Sequence, residues 1–113
     1  MKKSEKVLRL SRLAQMVLDR DLAQLAAAAK AKAASEANLA DLAKPQDTSG
    51  LAPVAAHHAE LRWQKWADAR RIEINIQLAR QTADWLNARQ SAQTAFARNT
   101  ALRGIAAKPD QPS

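Results

Sequence analysis

The chain has 113 residues and a net charge of +7, with four aromatic residues, two glycines and no cysteine. A chain of this length forms at most one ordinary domain, and it lacks the bulky side chains and turn residues of a compact globular core. The absence of cysteine excludes disulfides and thiolate metal sites, and it favours an intracellular setting. Alanine and straight-chain residues dominate, as is typical of long helices and coiled coils, so we predict an all-α fold.

The first predicted helix covers residues 4–43, with Ser4 as its N-cap. Residues 26–34, AAAAKAKAA, favour a helix but offer only methyl groups for packing. Lys44-Pro45 ends the helix, because proline disfavours helical geometry at the residue before it. An apolar stripe runs along the helix, and it consists of Val7, Leu10, Ala14, Leu18, Leu22, Leu25 and Ala29, with Leu13, Val17, Leu39 and Leu42 beside or beyond them.

Residues 44–53 are predicted to form the connection, because two prolines and a glycine gather there with Asp47, Thr48 and Ser49. The second predicted helix covers residues 54–107, with Pro53 suited to its first turn, and the tail 108–113 is predicted to be disordered. Its inner face carries Trp63, Ala67, Ile74, Leu78, Trp85, Ala92 and Phe96. A second apolar stripe, almost opposite, carries Leu61, Ala69, Ile72, Ile76, Ala79, Ala83 and Leu86.

Two long helices joined by a short connection are expected to pack as an antiparallel coiled-coil hairpin. If the connection closes directly over the helix ends, facing residues have numbers that add up to roughly 97. That register would place the alanine tract against Trp63 and Trp66, Leu25 near Ile72, and Leu13 near Trp85. It would also let residues 97–107 project beyond the start of the first helix.

The net positive charge is predicted to lie at the end of the hairpin where the termini meet. Nine basic residues fall in the terminal stretches against Glu5 and Asp110, and the rest of the chain is balanced. The nine are Lys2, Lys3, Lys6, Arg9, Arg12, Arg89, Arg98, Arg103 and Lys108. Such a charge attracts acidic surfaces of nucleic acid, lipid or protein.

The residues needed for catalysis are missing, so we expect no enzyme, no cofactor and no metal. Cysteine and tyrosine are absent, and the glycines are isolated. His57 and His58 are adjacent and diverge by about 100° on a helix, which does not suit one metal ion. The acidic residues are expected to form helical ion pairs instead, such as Asp68 with Arg71 and Glu73 with Arg70. No apolar run is long enough to span a bilayer, and we expect a soluble protein.

Trp66 and the second stripe are the candidates for contact with a partner. Trp66 points about 80° away from Trp63, toward the edge of the predicted interface. A lone hairpin would leave Ile72, Ile76 and Leu86 in water, and exposed apolar stripes of this kind usually mark an interface. Either self-association into a four-helix arrangement or another protein would cover them.

The pattern resembles the FliJ/YscO family, the stalk-like components of flagellar and type III export ATPases. The likeness is carried by KKSEKVLRLSRLAQMVLDRDLAQL at the start and by RRIEINIQLARQTADWLNAR in the second helix. The resemblance implies a cytoplasmic protein at the base of the export apparatus, where it supports protein export. Its terminal end would enter the ATPase ring through Arg9, Arg12, Arg98 and Arg103, and Trp66, Ile72 and Ile76 would meet the export gate or a chaperone.

The main alternative is a basic helical protein that binds nucleic acid or acts as a structural adaptor. Only Phe96 lies among the basic residues, and neither a helix-turn-helix nor a zinc-finger pattern is present, so binding would rest on charge alone. Such binding would be lost with salt.

Overall fold

The computed structural model describes residues 2–108, and these form two helices, α1 (Lys3–Leu42) and α2 (Pro53–Ala107). The chain divides into two compact units. The terminal unit holds residues 1–29 and 84–113, and the turn-side unit holds residues 30–83. In each unit a stretch of α1 packs against an antiparallel stretch of α2, so the predicted all-α helical hairpin is confirmed. Most of the predicted tail, residues 109–113, lies outside the described residues.

The helix ends are close to those the sequence predicted. α2 starts at Pro53, whose missing N–H costs nothing in a first turn. α1 starts at Lys3, so Ser4 lies inside the first turn and is not the N-cap. The carbonyl of Lys2 accepts the first bonds, from the backbone N–H groups of Glu5 (3.1 Å) and Lys6 (3.3 Å).

The less exposed positions of α1 alternate three and four residues apart along the whole helix. A strict seven-residue repeat of this kind is the signature of a left-handed coiled coil, in which positions a and d form the seam against the partner helix. The seam positions of α1 are Ser4, Val7, Ser11, Ala14, Leu18, Asp21, Leu25, Ala28, Lys32, Ser35, Leu39 and Leu42.

The same repeat runs along α2 from Arg71 onward. Its seam positions are Arg71, Ile74, Leu78, Gln81, Trp85, Ala88, Ala92, Ala95, Asn99 and Leu102. Upstream, the less exposed positions Trp63, Ala67 and Arg71 follow one another at two successive steps of four. The steps of four, four and three from Trp63 to Ile74 make one 11-residue repeat, and such an insertion locally unwinds the supercoil.

The predicted apolar stripe of α1 is only partly correct. Four of its residues lie in the seam, namely Val7, Ala14, Leu18 and Leu25. Several larger side chains lie outside the seam, because the strict 3.5-residue period places neighbouring polar or small residues there instead. Leu10, Leu13, Val17, Leu22 and Ala29 are exposed, whereas Ser11, Asp21 and Ala28 face α2. On α2, Phe96 is likewise 61% exposed, and Ala95 and Asn99 occupy the seam beside it.

The predicted register is wrong in the turn-side unit. The Ser35 hydroxyl donates to Oε1 of Gln81, and Nη2 of Arg71 donates to the carbonyl of Leu42 at 3.0 Å. The paired numbers add up to 116 and 113 rather than to about 97. Trp63 therefore packs against the cluster of Leu42, Ala67 and Ile74 instead of facing the alanine tract.

The path of the connection explains this shift. α1 ends level with Arg71, so the first 18 residues of α2, residues 53–70, extend beyond it by about 27 Å. Residues 43–52 must therefore extend alongside residues 53–70 of α2, from the level of Arg71 to the level of Pro53. Thr48 is partly buried, as are Ala56 and Ala59 on α2, which agrees with that path. A connection that closed directly over the helix ends would instead give facing numbers that add up to roughly 97.

The predicted register is also wrong in the terminal unit. Oε1 of Gln15 accepts from Nδ2 of Asn99 at 3.2 Å and from the guanidinium of Arg103. Leu13 therefore lies level with about residue 101 and not with Trp85. The end of α2 lies level with about residue 8, so α1 extends beyond α2, the reverse of the expected projection. In the same register Leu25 lies level with about residue 89 and not with Ile72.

Candidate interaction surfaces

Large apolar side chains surround the start of α1. Leu8, Leu10, Leu13 and Met16 are all at least half exposed. At about 100° per residue they spread over about 200° of the helix circumference, so no single flat partner would cover them all. Soluble monomers rarely expose so dense an apolar surface without an interaction to bury it. Sequence reasoning missed this surface because it assigned Leu10 and Leu13 to the seam; a strict heptad count of the same sequence would have found it.

Basic side chains share the surface with these apolar residues. The terminal unit contains ten Lys and Arg residues against five Asp and Glu residues, a net charge of +5. Arg9 and Arg12 are exposed between Leu8 and Leu13. The guanidinium of Arg103 is held against Gln15, which fixes its position beside α1. The start of α1 therefore combines apolar contact area with positive charge.

Arg98 lies apart from these three arginines, in a groove between the two helices of the terminal unit. The groove has a volume of about 480 Å³ and is lined mainly by polar side chains. Arg20 also lines it and forms an ion pair with Asp21, at 3.2 Å between Nη2 and Oδ1. The four predicted arginines are thus divided between the surface around α1 and this groove. The Asp21 carboxylate, of which only a small part is exposed, balances one of the groove's two positive charges.

The outer face of α2 carries the other predicted contact residues. Trp66 is 54% exposed, and its ring stacks at a tilt on Trp63 with 5.1 Å between ring centroids. Ile72 and Ile76 are more than half exposed in the turn-side unit, and Leu86 is half exposed in the terminal unit. The partly buried indole of Trp63 contacts the ring of Trp66, and the exposed part of Trp66 is of the residue type enriched among interface hot spots.

The predicted ion pairs on α2 are present. Arg70 pairs with Glu73 at 3.0 Å, and Arg71 pairs with Asp68 at 2.7 Å. His57 and His58 are both exposed, with 6.3 Å between ring centroids. Within residues 2–108 no group of three or more His, Asp or Glu side chains is placed to hold a metal ion. Neither described helix combines the length and apolar character needed to cross a membrane.

Comparisons of the chain with protein-family models, with curated proteins and with solved structures gave no match.

Proposed function

We propose that this chain is a coiled-coil protein-interaction component that works as the stalk of a flagellar or type III export ATPase. In this role the terminal unit enters the ring of the ATPase, and the outer face of α2 contacts a second protein. The protein would act in the cytoplasm, at the membrane-associated base of the export apparatus. The resemblance of the sequence to stalk proteins suggests the identity of the partner.

The exposed leucines around the start of α1 are the observation that carries the proposal. A partner that binds one side of a hairpin would need one apolar stripe, whereas a ring surrounds its stalk and meets several sides. Leu8, Leu10 and Leu13 point to different sides of α1, which suits a surrounding partner. Arg9 and Arg12 between them would attract an acidic pore, since complementary charge guides association and orientation.

The polar seam supports the same role. Ser11, Asp21, Ser35, Gln81 and Asn99 occupy positions that a stable coiled coil fills with leucine or isoleucine. The hairpin thus gains little from its own interface and keeps its larger apolar side chains for others. Binding would then contribute to its stability, because a partner that binds only the folded state shifts the folding equilibrium.

The test is the effect of the purified protein on a purified export ATPase from the same organism. We expect binding and a faster rate of ATP hydrolysis, and we expect both to be lost in Arg9→Glu, Arg12→Glu. The matched control is Arg62→Glu, Lys65→Glu, which reverses two exposed charges in the turn-side unit and should leave the hydrolysis rate unchanged. Circular dichroism would verify that both variants keep their helix content.

Two results would overturn the proposal. One is an ATPase that neither binds the protein nor responds to it. The other is tight binding to random duplex DNA at physiological salt that Arg98→Glu, Arg103→Glu abolishes, since this would favour a nucleic-acid-binding protein.

A further inference from the structure

α2 carries a second coiled-coil seam on its outer face, in addition to the one that packs against α1. Ala69, Ile72, Ile76, Ala79 and Ala83 are all exposed, and they follow one another at steps of three, four, three and four. This is the same 3.5-residue period that marks the inner seam. A sustained period of 3.5 keeps one stripe facing one helical partner, so we call these five residues the outer seam.

The order of large and small residues in the outer seam is self-complementary. If a second copy of α2 lies antiparallel with the two-fold axis between residues 77 and 78, Ile76 faces Ala79 of the other copy. Ile72 then faces Ala83 of the other copy, and each pair occurs twice because the contact is isologous. Every isoleucine thus meets an alanine, the arrangement in which facing positions interdigitate without a gap or a clash.

No other antiparallel register pairs both isoleucines with alanine. The flanking positions bring Asn75 opposite Thr82 of the other copy, two uncharged polar side chains. On the other flank, Arg80 comes nearest to Glu73 of the other copy, so these two charges are complementary.

We propose that the protein in contact with the outer face of α2 is a second copy of this chain, paired through the outer seam as an antiparallel α2–α2 dimer. This rests on the proposed use of that face as an interface, but not on the identity of the ATPase. The contact is short, so the dimer forms at micromolar concentration rather than permanently. It leaves Leu10, Leu13 and Arg12 of the terminal unit outside the α2–α2 interface.

The test is sedimentation of the purified full chain between about 1 and about 500 µM, where we expect a reversible monomer–dimer equilibrium. Ile76→Ala should weaken dimerisation about tenfold by removing the large partner, and Ala79→Ile should weaken it as much by forcing two large residues together. The double variant Ile76→Ala, Ala79→Ile should recover most of the lost dimerisation affinity, because it exchanges the two members of each facing pair. Leu61→Ala is the control, since Leu61 is half exposed and lies outside the seam.

The charges give an independent readout of the same register. Arg80→Ala should weaken the dimer, and added salt should weaken it as well, because each reduces the attraction between Arg80 and Glu73 of the other copy. A chain that remains monomeric throughout the range would overturn the proposal. So would a dimer that Ala79→Ile strengthens, or one that the double variant fails to restore. ATPase stimulation by a strictly monomeric protein would refute the dimer and leave the stalk role standing.

Discussion

Two neighbouring arginines show how the position of a side chain decides its role. Arg70 is on the surface of α2 and pairs only with Glu73 among the contacts described. Arg71 lies at a seam position and donates to the carbonyl of Leu42, at the C-terminal end of α1. The last carbonyls of a helix lack intrahelical partners, and a cation there also interacts favourably with the helix dipole. α1 has no basic residue in its own last turn, so α2 supplies the cation.

We expect Arg71→Ala to lower the free energy of unfolding by about 1 to 2 kcal/mol, because it removes a charged donor from a partly buried carbonyl. Arg70→Ala should change it by less than about 0.5 kcal/mol, as exposed ion pairs contribute little. Urea unfolding followed by circular dichroism at 222 nm measures both. Equal effects of the two substitutions would show that the bond to Leu42 does not stabilise the end of α1.

Ser11 illustrates the cost of a polar seam. Its hydroxyl is buried, and it has no hydrogen-bond partner among the described residues. Replacing a buried, unsatisfied polar group removes a desolvation penalty, so Ser11→Ala should stabilise the protein by about 1 kcal/mol. Ser91→Ala, at an exposed position of α2, gains only the better helix propensity of alanine, about 0.5 kcal/mol or less. A thermal melt that shows no difference between the variants would contradict the penalty at Ser11.

The connection between α1 and α2 is long for a helical hairpin, but the fold needs its length. Residues 43–52 span an offset of about 27 Å along α2, and ten residues reach at most about 36 Å when fully extended. Within it the Asp47 carboxylate accepts the backbone N–H of Ser49 at 3.0 Å, which lowers the pKa of Asp47. The contribution of that bond is complete above the ordinary pKa of the carboxyl and is lost as the pH falls through the lowered value.

Deletion of residues 46–49 should therefore damage the turn-side unit. The shortened connection reaches about 22 Å, so α1 must lose its bond between Arg71 and Leu42, or α2 must unwind its first turns. We expect a loss of helix signal in circular dichroism and a lower melting temperature. Insertion of four Gly and Ser residues after Thr48 is the control and should cost only a few tenths of a kcal/mol, because closure entropy grows slowly with loop length. Equal melting temperatures for the two variants would show that the connection does not span this offset.

The features of each single helix could be predicted from the sequence, whereas the packing between the two helices could not. Helix limits and surface ion pairs depend on neighbours within about four residues, so proline positions and i,i+3 spacings were enough to predict them. The seam depends on a strict 3.5-residue period sustained over many turns. A stripe chosen with irregular steps of three and four residues departs from that period, and it misplaced Leu10 and Leu22. The register depends on the path of the connection, which no local pattern determines. The exposed surface of α1 was missed for the same reason, whereas the exposed stripe of α2 was visible because its spacing is regular.

The charges of the whole chain are unevenly distributed, and this bears on its stability. The terminal unit has a net charge of +5, and the turn-side unit has eight basic and six acidic residues, a net charge of +2. Like charges on a folded protein repel one another and favour the unfolded chain, in which they lie farther apart. A seam rich in alanine and polar residues offers little to offset that repulsion. The stability of the free protein should thus depend on salt more than its ion pairs suggest.

We expect the melting temperature to rise by several degrees when NaCl is raised from about 10 mM to about 1 M, since the screening length falls from about 30 Å to about 3 Å. A gain of about 1 kcal/mol corresponds to about 4 to 8 °C for a chain of this size. Lys3→Gln, Lys6→Gln should reduce this dependence, because it removes two positive charges from the terminal unit. The control Arg62→Gln, Lys65→Gln removes two charges where the net charge is small, and it should change the salt dependence less. A melting temperature that falls with salt would mean that the attraction within ion pairs outweighs the repulsion between like charges. The positive charge of the terminal unit would then not destabilise the free protein, and an acidic partner could not stabilise it by neutralising that charge.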